Sequence, residues 1–496
     1  MTPQELRTAI DRPVFRTVGE CADVLGLRIC VVGGYVRDLL LERHSKDIDF
    51  VAVGSGIDLA RAVARKMRGR VSVFATYGTA QVKARGQELE FVGARCESYT
   101  PDSRNPEVSA GSLDDDLRRR DFTVNALALS VNAADFGTLI DPFGGVEDIR
   151  RRTLRTPLDP DITFSDDPLR MMRAIRFATQ LDFAIDPDTF QAIRRNADRL
   201  KIITRERIND ELGKIMRASR PSVGWRLLDD AGMLETVFPE LLDLKGVETV
   251  EGRGHKDNFA HTLKVLDNVA ERSDNEWLRW AALLHDIGKP QTKRFEPGTG
   301  WTFKNHNFVG EKMVPRIFRR HKLPLNEKMK YVAKLVGLHM RPQAVGDDDV
   351  TDRGIRRLGR EAGDDLQDLM ILAEADITSK NPAKVRRILD NFRYVRARLQ
   401  EVASKDDWRE WENPINGHML KALFHLQDGP LLGTLRNRVK DEIYCIPEKE
   451  NFDYALHYLL SIAPEYGLTP DPSLTPDQLR AIGVKVRHNK TESREM

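Results

Sequence analysis

Arg28-Ile-Cys-Val-Val-Gly-Gly-Tyr-Val-Arg-Asp-Leu-Leu-Leu-Glu-Arg-His-Ser-Lys-Asp-Ile-Asp-Phe-Val-Ala-Val53 is the stretch on which the fold turns. An apolar run, Arg28 to Val32, stops at Gly33-Gly34, and helix-forming residues resume from Tyr35 to Leu41. Strand, glycine turn and helix are the reading. From Asp47 to Val53 polar and apolar residues alternate, which predicts a second strand. On such a strand Asp47 and Asp49 share one face, about 6.6 Å apart, while Ile48 and Phe50 point into a core. Two carboxylates so placed can converge on divalent ions if a neighbouring loop supplies phosphates. Gly33 and Gly34 offer that loop, because a chain without side chains lets phosphate approach backbone N–H groups at the start of a helix. Arg37, one turn further, can meet phosphate oxygens.

Working outward, Gln81-Val-Lys-Ala and Glu88-Leu-Glu-Phe-Val92 repeat the strand alternation, so a mixed sheet is expected over residues 1–155. Glu90 shares a face with Glu88 and is the candidate third carboxylate. From about Asp166 helical periodicity takes over, in Leu169 to Phe177, Thr189 to Arg195 and Arg207 to Met216. The fold class expected is α+β: a small mixed-sheet head (1–155), a helical neck (156–250), a helical domain carrying most of the histidines (251–400) and a helical tail (401–496). The breaks are Glu251-Gly-Arg-Gly254 and the Trp408 to Pro414 stretch. A chain of 496 residues exceeds what one core usually supports, in keeping with several domains.

Composition excludes little. Hydrophobic residues make up 41% and charged residues 31%, without the apolar runs that span membranes. The N-terminus lacks a signal-peptide pattern and the four cysteines form no CxxC pair, so a cytoplasmic protein without a thiolate zinc site is expected. A net charge of +2 neither requires nor forbids nucleic acid. Local clusters matter more, notably Arg118-Arg-Arg120, Arg150-Arg-Arg152, and the set Arg170, Arg173 and Arg176. Oligomeric state has no signal in the sequence.

The order Gly33-Gly-Tyr-Val-Arg-Asp, then Asp47-Ile-Asp49, closely resembles the signature of the class II nucleotidyltransferases, the family of bacterial CCA-adding enzymes and poly(A) polymerases. The stretch Asp114-Asp-Asp-Leu-Arg-Arg-Arg-Asp-Phe-Thr-Val-Asn-Ala-Leu127 is similar to a second family motif. The resemblance implies that Asp47 and Asp49 hold Mg²⁺ and that Arg120 contacts the nucleotide's sugar or phosphate. A third motif, Glu-Asp-x-x-Arg in the family, stands here as Asp166-Asp-Pro-Leu-Arg170. Cytosine and adenine each present an amino donor beside a ring-nitrogen acceptor, whereas uracil and guanine present a carbonyl beside an N–H. Asp167 accepting and Arg170 donating would admit CTP and ATP and oppose UTP and GTP. Arg173 and Arg176, three residues apart, would hold the triphosphate or stack on the base.

Further along come His261, Ala281-Ala-Leu-Leu-His-Asp-Ile-Gly-Lys289, His306, His339 and Asp376. Imidazoles with carboxylates suit a transition metal such as Mn, Fe, Co or Ni. This order resembles the HD phosphohydrolase family, which implies His261, His285, Asp286 and Asp376 as metal ligands, with His306 and His339 at a second metal or phosphate position and Lys289 as a phosphate contact. The expected activity is transfer of CMP and AMP to the tRNA 3′ end, with a fused hydrolase of phosphate esters. Two alternatives stay open: a poly(A) polymerase of the same family, against which Phe74-Ala-Thr-Tyr-Gly-Thr-Ala-Gln-Val82 argues by its closeness to the CCA-adding pattern, and an HD-type nucleotide hydrolase with a regulatory head.

Overall fold

A seven-stranded mixed sheet in the order β3-β4-β5-β2-β1-β8-β9 forms the head. Its strands are β1 (Arg28–Val32), β2 (Ile48–Val53), β3 (Arg70–Phe74), β4 (Thr79–Ala84), β5 (Gln87–Gly93), β8 (Ala128–Ser130) and β9 (Leu139–Ile140); β6 (Arg95–Thr100) and β7 (Ser103–Ala110) form a separate hairpin. The computed structural model describes residues 1–45, 47–75, 78–100, 103–250, 253–254, 257–347, 351–379, 381–405 and 411–482. Lys46 of the signature, Thr76 and Tyr77, Glu251 and Gly252 of the Gly-rich break, and Trp408 to Glu410 of the second break therefore lie outside the described residues.

Every pairing in the head sheet is antiparallel except β2 with β5, which run parallel. Alternation decides which residues fill the core. Ile48, Phe50 and Phe91 are buried behind the sheet, where Phe50 stacks on Phe91 at 5.2 Å and tilts against Phe15 at 5.8 Å. Helices α1 (Pro3–Ile10), α2 (Pro13–Val24), α3 (Gly34–Leu40), α4 (Gly56–Met67), α5 (Leu113–Arg118) and α6 (Gly145–Arg151) complete the head.

The neck is built from α7 (Pro160–Asp166), α8 (Leu169–Leu181), α9 (Pro187–Asn196), α10 (Arg205–Met216), α11 (Pro221–Asp230) and α12 (Leu234–Val237). Sequence periodicity places Asp167 on one helix face with the three arginines, but the chain breaks there. Asp167 is extended, at φ −136° and ψ 97°, and α8 starts after Pro168. The proline ring disfavours helical backbone in the residue before it, which separates α7 from α8. Trp225 packs edge to face against both Phe238 and Trp280 at the core where the neck meets α14 (Glu276–Leu284). That helix follows α13 (Asn258–Ala270) and precedes α15 (Lys289–Thr292) and α16 (His306–Arg320).

Short two-stranded ladders interrupt the helices at 249–254 and 294–302, and Thr153–Leu154 pairs with Ala184–Ile185. The α+β class stands, with the large sheet confined to the head. The chain divides into two compact units, one comprising Met1–His306 and Lys312–Met329, the other Asn307–Glu311 and Lys330–Met496. The second unit contains a distinct apolar cluster around Leu420, Leu435, Val439 and Leu459. No helix among the described residues is long and apolar enough to cross a membrane.

Candidate active sites

Gly33 ends the β1 run at φ +69°, a left-handed conformation that glycine adopts without a side-chain clash. A Cβ there would also sit 2.7 Å from Arg120 Nη1, so the backbone favours glycine and a side chain would push that guanidinium aside. Across the turn, Asp49 lies on β2 opposite Val32 of β1 and opposite Glu90 of β5. Asp47 immediately precedes β2 rather than lying within it. These groups border a cavity of about 620 Å³ that also takes residues from the neck.

Every head and neck candidate except Glu90 lines this cavity: Gly34, Arg37, Asp47, Asp49, Arg120, Asp167, Arg170, Arg173 and Arg176. Glu90 is one ladder step from Asp49 and shares its electrostatics. Burial raises the pKa of Asp49, and Asp47 adds to that while Arg120 opposes it. Glu90 is raised by burial and then by the charges of Asp49 and Asp47. Asp47 thus adds to the cost of ionising Asp49 and Glu90, and a dication among the three carboxylates would relieve that repulsion.

The arginines are anchored by a buried network. Arg37 Nη1 donates to Asn125 Oδ1 at 2.7 Å, and Asn125 Nδ2 donates to Asp121 Oδ1 at 3.0 Å. Arg173 Nε donates to the other Asp121 oxygen at 2.7 Å. Burial alone would raise Asp121, but the Arg173 charge and the hydrogen bonds from Asn125 and Arg173 hold its pKa down at about 2. Asp116, fully buried near the end of α5, accepts from Arg119 at 2.5 Å and Arg120 at 3.0 Å. Arg170 Nη2 donates to the Arg119 carbonyl at 2.8 Å. Arg176 turns inward, its Nε 3.1 Å from Glu211 Oε2 on α10 and its guanidinium over the Phe177 ring. Asp116, Asp121 and Arg207 were not singled out from sequence, and Arg119 only as part of the Arg118-Arg-Arg120 cluster. Their importance comes from pairing across elements, which local periodicity does not encode, although the run Asp114 to Asp121 concentrates acids and arginines visibly.

The histidine site gathers around Asp286. His261 comes from α13, whose start Asp257 caps by accepting from the Ala260 N–H; His285 and Asp286 follow the apolar α14. His261 Nε2 and His285 Nε2 lie 3.4 and 3.2 Å from Asp286 Oδ2, and His306 Nε2 lies 3.3 Å from Oδ1. Lys289 Nζ contacts Oδ2 at 2.6 Å. Burial would raise Asp286, but His285 and Lys289 hold its pKa well below the usual carboxylate range.

His285 and His306 each point Nδ1 at the carbonyl three residues earlier, of Ala282 and Phe303, at 2.8 Å. A carbonyl accepts only from N–H, so in the neutral imidazole Nε2 is the nitrogen that would offer a lone pair to a metal. The ligand atoms of His261, His285 and Asp286 lie within 4.8 Å of one another, and this nitrogen and oxygen set fits a transition-metal ion. His339 and Asp376 belong to the second unit. There His339 is buried and shows the same device, with Nδ1 2.8 Å from the Val336 carbonyl. Asp376 closes the Leu366–Ala375 helix.

Residues 29–155 match the family model of the poly A polymerase head domain, and residues 258–381 that of the HD domain. Between them, residues 182–244 match the model described as "Probable RNA and SrmB- binding site of polymerase A". An A-adding tRNA nucleotidyltransferase of Deinococcus radiodurans is 35% identical over 414 residues, 82% of this chain and 89% of that protein. A multifunctional CCA protein of Shewanella frigidimarina is 36% identical over 299 residues, 59% of this chain and 68% of that protein. A solved tRNA nucleotidyltransferase, complexed with a primer tRNA and an incoming ATP analog, covers 77% of this chain and 99% of its own at a TM-score of 0.54 and 27% identity. An apo CCA-adding enzyme shares the fold at a TM-score of 0.58 and 21% identity, over 93% of this chain and 96% of its own. With a relative matched along nearly its whole length, this chain belongs to the class II nucleotidyltransferases, the enzyme family of poly(A) polymerase heads and tRNA nucleotidyltransferases, and carries an HD domain behind its neck.

Proposed function

We propose that the head and neck transfer CMP and AMP, from CTP and ATP, to the 3′ end of tRNA without a template. The observation that carries this is the single cavity in which Asp47 and Asp49 of the head meet Asp167, Arg170 and Arg173 of the neck. The names of the relatives support it. Mg²⁺ held by Asp47 and Asp49, with Glu90 beside them, would neutralise charge on the α-phosphate and ease ionisation of the primer's 3′-hydroxyl. The chain's own groups do the rest. Gly33 and Gly34 leave room for the triphosphate, Arg37 and Arg120 supply cationic walls, and the Asp167 carboxylate with the Arg170 guanidinium matches the edge shared by cytosine and adenine. Arg173 and Arg176, fixed by Asp121 and Glu211, keep positive charge beside that edge. A cytoplasmic site of action goes with this reading.

The test is incubation with tRNA lacking CCA, Mg²⁺ and labelled NTPs, singly and together. Addition of C, C and A that then stops is the expected product. A second reading, transfer of AMP alone, is favoured by the A-adding name of the Deinococcus relative. It predicts no incorporation of C and addition of A only to tRNA ending in CC. A long A tract would instead make this a poly(A) polymerase.

For the HD domain we propose a hydrolase of phosphate esters that binds Mn, Fe, Co or Ni through His261, His285 and Asp286. Lys289, which donates to Asp286 at 2.6 Å, would meet phosphate. The assignments of His306, His339 and Asp376 to this chemistry rest on the family resemblance. Asp286→Ala is expected to remove the bound transition metal and hydrolysis of a 2′,3′-cyclic nucleotide together, with tRNA addition retained. Metal analysis showing equal content in wild type and variant would overturn the assignment.

A further inference from the structure

Seven arginines line the transfer cavity, and six of them already have protein acceptors. Arg37 is held by Asn125 and Asp38, Arg119 and Arg120 by Asp116, Arg170 by a carbonyl, Arg173 by Asp121 and Arg176 by Glu211. Arg207 is the exception: among the described residues it has no hydrogen-bonding or ion-pairing partner, yet it is partly buried in the cavity wall.

Its position is not accidental to a loose helix. α10 is fixed on either side of it, by Arg205 Nη1 donating to the Thr236 carbonyl at 2.7 Å and by Glu211, one turn further, paired with Arg176 and Lys214. Ile208 and Leu212 bury the opposite face of the helix. Arg207 is partly buried and lines the same cavity as six other arginines, a concentration of positive charge that suits an anionic ligand. Among the described residues no protein acceptor engages any part of its guanidinium, so the whole fork is open to an oxyanion.

We propose that Arg207 is a phosphate-binding residue of the transfer site, donating to a phosphoryl oxygen of the incoming nucleoside triphosphate or of the primer's terminal phosphodiester. This rests on the transferase reading above. Both sources offer the same fork-accepting oxygens, and the bidentate geometry of arginine suits either.

Equilibrium binding of Mg-ATP, and separately of tRNA lacking CCA, should be measured on the full chain for wild type, Arg207→Ala and Arg207→Lys. Arg207→Ala is expected to raise one of the two Kd values about tenfold at unchanged Tm, with Arg207→Lys recovering part of the loss. A rise for ATP places the contact on the triphosphate, and a rise for tRNA places it on the primer. Equal Kd values in wild type and Arg207→Ala for both ligands would overturn the proposal, as would a loss that comes with a lowered Tm and no recovery in Arg207→Lys. Binding is read without turnover, so a wild type that bound both ligands but transferred nothing would count against the transferase reading alone.

Discussion

Asp49→Ala is expected to lower kcat for nucleotide transfer by at least about a thousandfold, because several kcal/mol of charge stabilisation at the reacting phosphate pass through this carboxylate. HD-site hydrolysis should be untouched. The same residue gives a pH signature. Burial raises the pKa of both Asp49 and Glu90, and the neighbouring carboxylates add to it. A carboxyl whose folded pKa is raised favours the folded state at low pH, and that contribution disappears as pH rises through the folded value. Mg²⁺ binds the ionised form, so its stabilising effect must grow across the same window. The rise in Tm on adding Mg²⁺ is therefore expected to be larger at pH 8 than at pH 5 and to shrink in Asp49→Ala. A shift independent of pH, or a variant that keeps most of its transfer rate, would remove Asp49 from the metal site.

Asp116→Ala should be the most destabilising single change in the head. The carboxylate is fully buried, while the side chains of Arg119 and Arg120 are 21% and 19% exposed. Removing it leaves two guanidinium groups facing each other without their shared anion. Breaking a buried ion pair typically costs about 3–5 kcal/mol, and the partial exposure of the arginines puts the expectation at the lower end, about 3 kcal/mol in a denaturant titration. Function should suffer as well, because Arg120 borders the Gly33 turn and the Arg119 carbonyl holds Arg170. Asp116→Asn, which retains the hydrogen-bonding shape, should fall between. A loss of stability below about 1 kcal/mol would show that the arginines find other partners.

Several of these residues could be read before the structure was known. The alternation around Asp47-Ile-Asp49 oriented the carboxylates away from Phe50, and the glycines marked the turn that faces them. Glu90 was legible as a face but not as a neighbour: that Asp49 lies opposite it follows from the parallel β2–β5 register, a long-range property. Pro168 stood in plain view, and its effect on the residue before it was enough to separate Asp167 from α8. Asp116, Asp121 and Arg207 resisted for another reason. A charged residue in a helix, or in the turn after one as Asp121 is, looks the same whether it faces water or a partner from another element, and only the packing distinguishes the two.

The parallel pairing of β2 with β5 also bears on when the site comes into being. Antiparallel neighbours can zip from a turn, but this pair forms only after α4, β3 and β4 have been made and folded back, placing Glu90 beside Asp49 at the end of a long excursion. During synthesis the Gly33 turn and both aspartates emerge well before the strand that completes their acidic face. On the proposed transferase reading, magnesium would select for a finished head: a nascent or misregistered chain would offer it only a partial set of ligands, and the ion would favour the one register that brings all three carboxylates together.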